Sequence, residues 1–220
     1  MSGKIVDEQG WESSTSPWEM MESCRNRVSD RKLLLFMAAR ARQQWDLLKN
    51  DRYKRAVDLA ERFADGKASI EELEQGKQGI WGISVQEFRQ RTPEEMRASP
   101  SRLCAFWRSG KGAASDVTCC LKGSAEARVQ IDILRCLFGN PFRPVAFEAA
   151  WRTPTVRSLA EAAYQERSLP RGTLDSDRLA VLADALEDAG CDSNQMLDHL
   201  RGPGPHMRGC WALDLILGKQ

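Results

Sequence analysis

Both histidines of the 220-residue chain fall in one short stretch near its end, Leu197 to Trp211. That stretch also holds Arg201, Arg208, Cys210, two prolines and three glycines. Three kinds of chemistry fit such a set. The first is metal ligation. Cys191, His199, His206 and Cys210 bring two thiols and two imidazoles within twenty residues, the donor set zinc takes in a tetrahedral site. The step of four from His206 to Cys210 puts both on one helix face if a helix begins before His206. Against this, the other separations match no ordinary zinc spacing, and the chain has no Cys-x-x-Cys pair. The plainer alternative buries Cys191 and Cys210 as core and lets His206 cap or hydrogen-bond across the loop. Zinc is a secondary reading, and no other cofactor is expected.

The second chemistry is anion binding. Gly202, Gly204 and Gly209 allow close backbone approach, Arg201 and Arg208 flank them, and a helix is expected to start near Pro205 or His206. Free amides at a helix start and guanidinium groups suit phosphate or carboxylate. No strand precedes the loop and no Gly-Lys-Ser/Thr follows, so it is no phosphate loop; a rigid Gly-Pro turn between helices serves equally. The third is nucleophilic catalysis. Cys104, Cys119 and Cys120 have no histidine nearby in sequence, and there is no Gly-x-Ser-x-Gly elbow. No catalytic residue is assigned, and the reading that follows is non-enzymatic.

The elements that must position these side chains read as helices throughout. Hydrophobic residues make up 42% and charged residues 29% of the chain, with a net charge of +1, so no global field draws it to nucleic acid or membrane. The longest apolar run, Leu33 to Ala39, is far shorter than the roughly 18–20 residues of a membrane span. The N-terminus lacks a secretory pattern, and seven cysteines form no disulfide framework, which together point to a reduced, cytoplasmic protein. Capping signals recur at Ser16, Ser29, Ser69, Ser84, Thr92, Thr153 and Asp175. Apolar residues at three- and four-residue steps predict a long helix from Asp30 to about Lys49, another over 51–64 and a third carrying Val129, Ile133, Cys136 and Leu137. Gly76, Gly79 and Gly82 predict a loop over 76–83. The fold class is therefore all-α, a bundle of about eight to ten helices with essentially no β-sheet. Its expected organisation is a frayed tail over 1–15, a helical half over 16–108, a mobile connection over 109–124 and a second helical half over 125–220.

Charge is unevenly spread. Arg25 to Arg55 holds ten Lys/Arg against three Asp/Glu, and Glu161 to Asp198 holds nine Asp/Glu against three Lys/Arg. The basic segment could meet nucleic acid, the acidic half of the same chain, or a second copy. Of the seven tryptophans, Trp45, Trp151 and Trp211 read as core, and an exposed member of Trp11, Trp18, Trp81 and Trp107 would anchor a protein partner.

Several strings resemble an uncharacterised helical family of planctomycete-type bacteria. They are Leu137 to Pro144, Trp151 to Val156, Leu182 to Cys191, His199 to His206 and Arg208 to Trp211, with weaker similarity at Ser29 to Leu33 and Arg55 to Gly66. The resemblance implies a bacterial helical protein and carries no function. Family members have a cysteine-rich patch in the long helix, where this chain has Met37 to Arg42, which argues against a metal there. The leading expectation is an interaction or adaptor module that binds another protein through a surface turn of Arg201, Gly202, Gly204, His206 and Arg208. An anion or nucleic-acid binder using the same turn and the basic helices is the alternative. A zinc-stabilised or hydrolytic protein using Cys191, His199, His206 and Cys210 is the third.

Overall fold

The computed structural model describes residues 5–24, 27–48, 50–81 and 127–219. Expectations that fall on 82–126, including the helix starts at Ser84 and Thr92, the connection over 109–124, Trp107, and Cys104, Cys119 and Cys120, lie outside the described residues. In chain order the helices are α1 (Glu8–Ser13), α2 (Pro17–Cys24), α3 (Asp30–Gln43), α4 (Asp51–Ala64), α5 (Ile70–Trp81), α6 (Ala127–Phe138), α7 (Pro154–Gln165), α8 (Ser176–Asp188), α9 (Asn194–Arg201) and α10 (Trp211–Leu217). A two-residue hairpin, β1 (Arg167–Ser168) and β2 (Thr173–Leu174), is the only sheet among the described residues. The fold is all-α, and no described helix is long and apolar enough to cross a membrane.

The chain divides into two compact units, Met1–Arg27 with Glu126–Gln220, and Val28–Ala125. This redraws the expected halves: α2 belongs with the C-terminal helices because it packs on α6 and buries Met20, Met21 and Cys24 completely. The frayed tail expected over 1–15 is also corrected. Asp7 caps α1 by accepting from the Gly10 N–H at 2.8 Å, and Trp11 is 2% exposed. The Arg135 guanidinium donates to the carbonyl of Glu12, which fixes α1 within the first unit. Trp11 is therefore core and not a partner anchor.

In the second unit, α3 packs on α4, to which the short link at Asn50 joins it, and α4 packs on α5. The long helix ends at Gln43 and not Lys49, giving way to a 3-10 turn over Trp45–Leu47. Arg42 is 2% exposed and makes a bidentate bond to Glu61, 3% exposed, with both N–O distances at 2.7 Å; its guanidinium also stacks on Trp45 at 4.9 Å. Ser69 and Glu72 form the reciprocal capping box read from the sequence, at 3.2 and 2.8 Å. The loop expected over 76–83 is instead helical through Trp81. A Cβ at Gly76 would stand 2.5 Å from Leu59 Cδ2, so this glycine lets α5 lie close on α4 and does not break the helix.

In the first unit, α8 packs on α7 and α9, and α10 packs on α6, α7 and α9. The Thr153 and Asp175 caps form as expected. Leu179, Leu182, Leu186, Leu213 and Ile216 are fully buried. On α6 the inward face is Ile133, Leu134, Cys136 and Leu137, while Val129, expected inside, is 38% exposed. This core frames the stretch that holds the histidines.

Candidate metal centre

Four donor groups meet inside the first unit: Cys136, His199, His206 and Cys210. One ligand atom from each lies within 4.8 Å of every other. Cys136 rides the last turns of α6, His199 the last turn of α9, His206 the Gly-Pro turn, and Cys210 is the N-cap of α10. Donors about 2.0–2.3 Å from a shared ion stand roughly 3.3–3.8 Å apart in a tetrahedron, so the cluster needs only small adjustment to hold zinc.

Glycines deliver these residues. Gly139 ends α6 at φ +64°, and a Cβ there would sit 3.1 Å from Trp211 Cγ. Its bare backbone lets Trp211 pack on the end of α6, which brings the preceding Cys210 to Cys136. Gly204 takes φ +76°, and a Cβ there would lie 2.7 Å from the His206 backbone nitrogen. The chain folds back at that point, and His206 Nε2 lies 3.0 Å from the Gly202 carbonyl. A carbonyl only accepts, so Nε2 carries the proton and Nδ1 carries the lone pair. His206 Nδ1 is buried and makes no hydrogen bond of good geometry. A backbone carbonyl that fixes the tautomer of a ligating histidine is the usual outer-shell arrangement at metal sites.

The rest of the cluster is similarly held. The Met207 N–H donates to Cys136 Sγ at 3.3 Å. The Leu174 N–H donates to the His206 carbonyl at 2.8 Å, which ties the turn to β2. His199 Nε2 is 3.2 Å from Cys210 Sγ, and the His199 ring stands edge-on to His206 and tilts over Trp211. Cys136, His206 and Cys210 are buried, at 2%, 3% and 0% exposure. His199 is half-buried and lines a pocket of about 460 Å³ with Trp11, Arg135, Asn140 and Trp211.

The electrostatics match a thiolate site. Burial pushes the Cys210 thiol up, but Cys136, His199 and His206 outweigh it and hold the group well below the ordinary thiol range. Burial opposes charge on His206, yet Cys210 and the Gly202 carbonyl raise it above its usual value. In contrast, burial pushes the Cys24 thiol up to about 11, as for an inert core cysteine.

Three of the four metal candidates read from the sequence therefore come together, and the fourth does not. Cys191 is buried in another setting, where its N–H closes the end of α8 on the Leu186 carbonyl. Cys136 takes the place assigned to it. The sequence places Cys136 on the inward face of its helix, beside the string Leu137 to Pro144, but nothing local marks its sulfur as a ligand.

The surface turn is corrected as well. His206 points inward, and Arg208 is 9% exposed with its guanidinium 5.4 Å over the Tyr164 ring. Arg201 pairs with Asp184 and Glu187 on α8. The Gly202 carbonyl is taken by His206, and the close approach at Gly204 is to His206 itself. The helix expected from Pro205 or His206 begins only at Trp211, since Gly204 and Gly209 both take positive φ. The turn therefore does not lead into a helix N-terminus, and the anion reading loses those amides. Comparison with protein-family models, with curated proteins and with solved structures gives no match to this chain.

Proposed function

We propose that this chain is a non-enzymatic helical module stapled by a structural zinc ion, held by Cys136, His199, His206 and Cys210, and that it works by binding another protein. The mutual approach of the four donor atoms within 4.8 Å carries the zinc part. Two thiols and two imidazoles suit zinc above magnesium or calcium, which take oxygen. Four protein ligands fill a tetrahedron and leave no position for substrate, so the ion acts on the fold. It would join the ends of α6 and α9 to the start of α10 and fix the Gly-Pro turn between them. A closed centre gives the ion a part in the fold and none in bond-making.

Elemental analysis of protein purified from zinc-supplemented cells tests the zinc part, with about one zinc per chain expected and below about a tenth of an equivalent refuting it. Cobalt substitution gives an independent reading, since two thiolates in a tetrahedral cobalt site produce intense visible and near-ultraviolet absorption. Cobalt bound without thiolate bands would rule out this ligand set. Affinity capture with the zinc-bound protein and its chelated form tests the binding part; partner proteins should be lost on chelation, and identical recoveries would sink the module reading.

A further inference from the structure

The two sulfurs of the cluster lie close together, and a third ligand, His199, is half-buried at the wall of a pocket. We infer that Cys136 and Cys210 form an oxidative modification site, at which hydrogen peroxide joins them in a disulfide and expels the zinc. This inference rests on the zinc reading above.

Proximity makes the first part of the argument. The sulfurs lie within 4.8 Å, and a disulfide needs about 2.05 Å, so they must close by about 3 Å at most. Cys210 follows Gly209, whose φ of +86° marks a tight backbone turn and not a helix interior. Cys210 is the N-cap of α10, so its sulfur can swing about the Cα–Cβ bond while its carbonyl keeps the bond from the Asp214 N–H that closes the first turn.

Access is the second part. Both sulfurs are buried, but His199 is half-buried, lines the 460 Å³ pocket and touches Cys210 Sγ at 3.2 Å. Movement of His199 opens a path from the pocket to Cys210 for a small oxidant, and the same path lets the ion leave. Chemical selectivity is the third part. Of the four described cysteines, none of which is in a disulfide, only Cys136 and Cys210 belong to the cluster, and Cys24 and Cys191 lie outside it.

The step balances as follows. The Cys210 thiolate attacks one peroxide oxygen, the O–O bond breaks, and a sulfenic acid forms as hydroxide leaves and takes a proton. The Cys136 thiolate then attacks the Cys210 sulfur, the S–O bond breaks, and a second hydroxide leaves and takes a proton. The two sulfurs lose two electrons in total and one peroxide becomes two waters. Zinc loses two of four donors and departs as the free ion.

The test uses the full chain with Cys104, Cys119 and Cys120 replaced by serine, loaded with zinc and titrated with hydrogen peroxide. A chromogenic chelator reads released zinc, and peptide mass spectrometry reads the cross-link. The expected result is one zinc released for each Cys136–Cys210 disulfide, with both reversed by dithiothreitol and added zinc. Zinc that stays bound, zinc released with sulfinic acid in place of a cross-link, or a disulfide to Cys24 or Cys191 would overturn the inference while leaving the zinc staple standing. A protein that holds no zinc before oxidation removes both.

Discussion

Replacing Cys136 with serine should abolish the response of the fold to zinc, and replacing Cys191 should not. Zinc that binds only the folded chain stabilises it by RT ln(1 + [Zn]/Kd), about 2.7 kcal/mol at a hundred times Kd. At roughly 4 °C per kcal/mol for a unit of this size, the wild-type midpoint should rise about 11 °C between chelator and zinc. Serine at position 136 keeps an oxygen acceptor near the Met207 N–H, which the sulfur now accepts at 3.3 Å. It does not supply a thiolate. In chelator, burying a hydroxyl where the thiol is 2% exposed costs about 1–3 kcal/mol by itself. Cys191 is 4% exposed, so Cys191→Ser carries a similar cost and serves as a matched control. The assay is thermal unfolding by far-ultraviolet circular dichroism, each variant with zinc and with chelator. The quantity compared is the zinc-induced shift of each protein, which cancels the packing cost. A shift of about 11 °C should survive in Cys191→Ser and vanish in Cys136→Ser. A wild-type protein indifferent to zinc would refute the reasoning, and so would a shift lost in Cys191→Ser but kept in Cys136→Ser.

Two further outcomes follow from the geometry. Glu61→Gln removes the buried charged partner of the Arg42 guanidinium and leaves it only the exposed Asp58 carboxylate, and should cost about 3 kcal/mol in urea unfolding. Asp58→Asn, at a carboxylate 57% exposed on the same arginine, should cost less than about 1 kcal/mol, and equal losses would show that burial does not govern this pair. Gly204→Ala places a Cβ 2.7 Å from the His206 backbone nitrogen at φ +76°, and should weaken zinc at least about tenfold in a chelator competition, about 1.4 kcal/mol of displaced ligand. Gly190→Ala meets the same kind of φ, +85°, but open space, so it should leave zinc affinity unchanged; parallel losses would tie the effect to general destabilisation.

The helices were legible because their signals are local. Ser69 and Glu72 are three apart, and a capping box needs nothing else. The leucines of α8 and the cap at Asp175 are likewise complete within one turn or two. Glycine was harder to read, because its meaning depends on what approaches it. Gly66 and Gly190 follow helix ends with nothing near them. Gly76 looked like the same kind of break, yet it lies inside α5 because Leu59 of a neighbouring helix fills the space. The segment that carries Trp11 reads as a frayed tail for a related reason, since the rest of the unit it belongs to comes from the other end of the chain.

The metal centre shows the same limit more sharply. His199, His206 and Cys210 stand out because they sit in twelve residues of unusual composition. Their fourth partner could only be chosen by closeness in sequence, and Cys191 is the nearest remaining thiol. Closeness in sequence fails here because α8 ends before α9 begins, and the Gly190 turn directs Cys191 back onto the Leu186 carbonyl. Cys136 and Met207, 71 positions apart, touch through the Met207 N–H only because Gly139 lets Trp211 against the end of α6. Gly204 works in the same way on the turn. It reads as freedom for a ligand to approach the backbone, but the group that approaches is His206. The same fold-back buries the imidazole and takes up the Gly202 carbonyl, so the features that suggested a presented surface are the ones that close it. A site of this kind couples residues through the tertiary fold, and its fourth ligand becomes identifiable only when that fold is known.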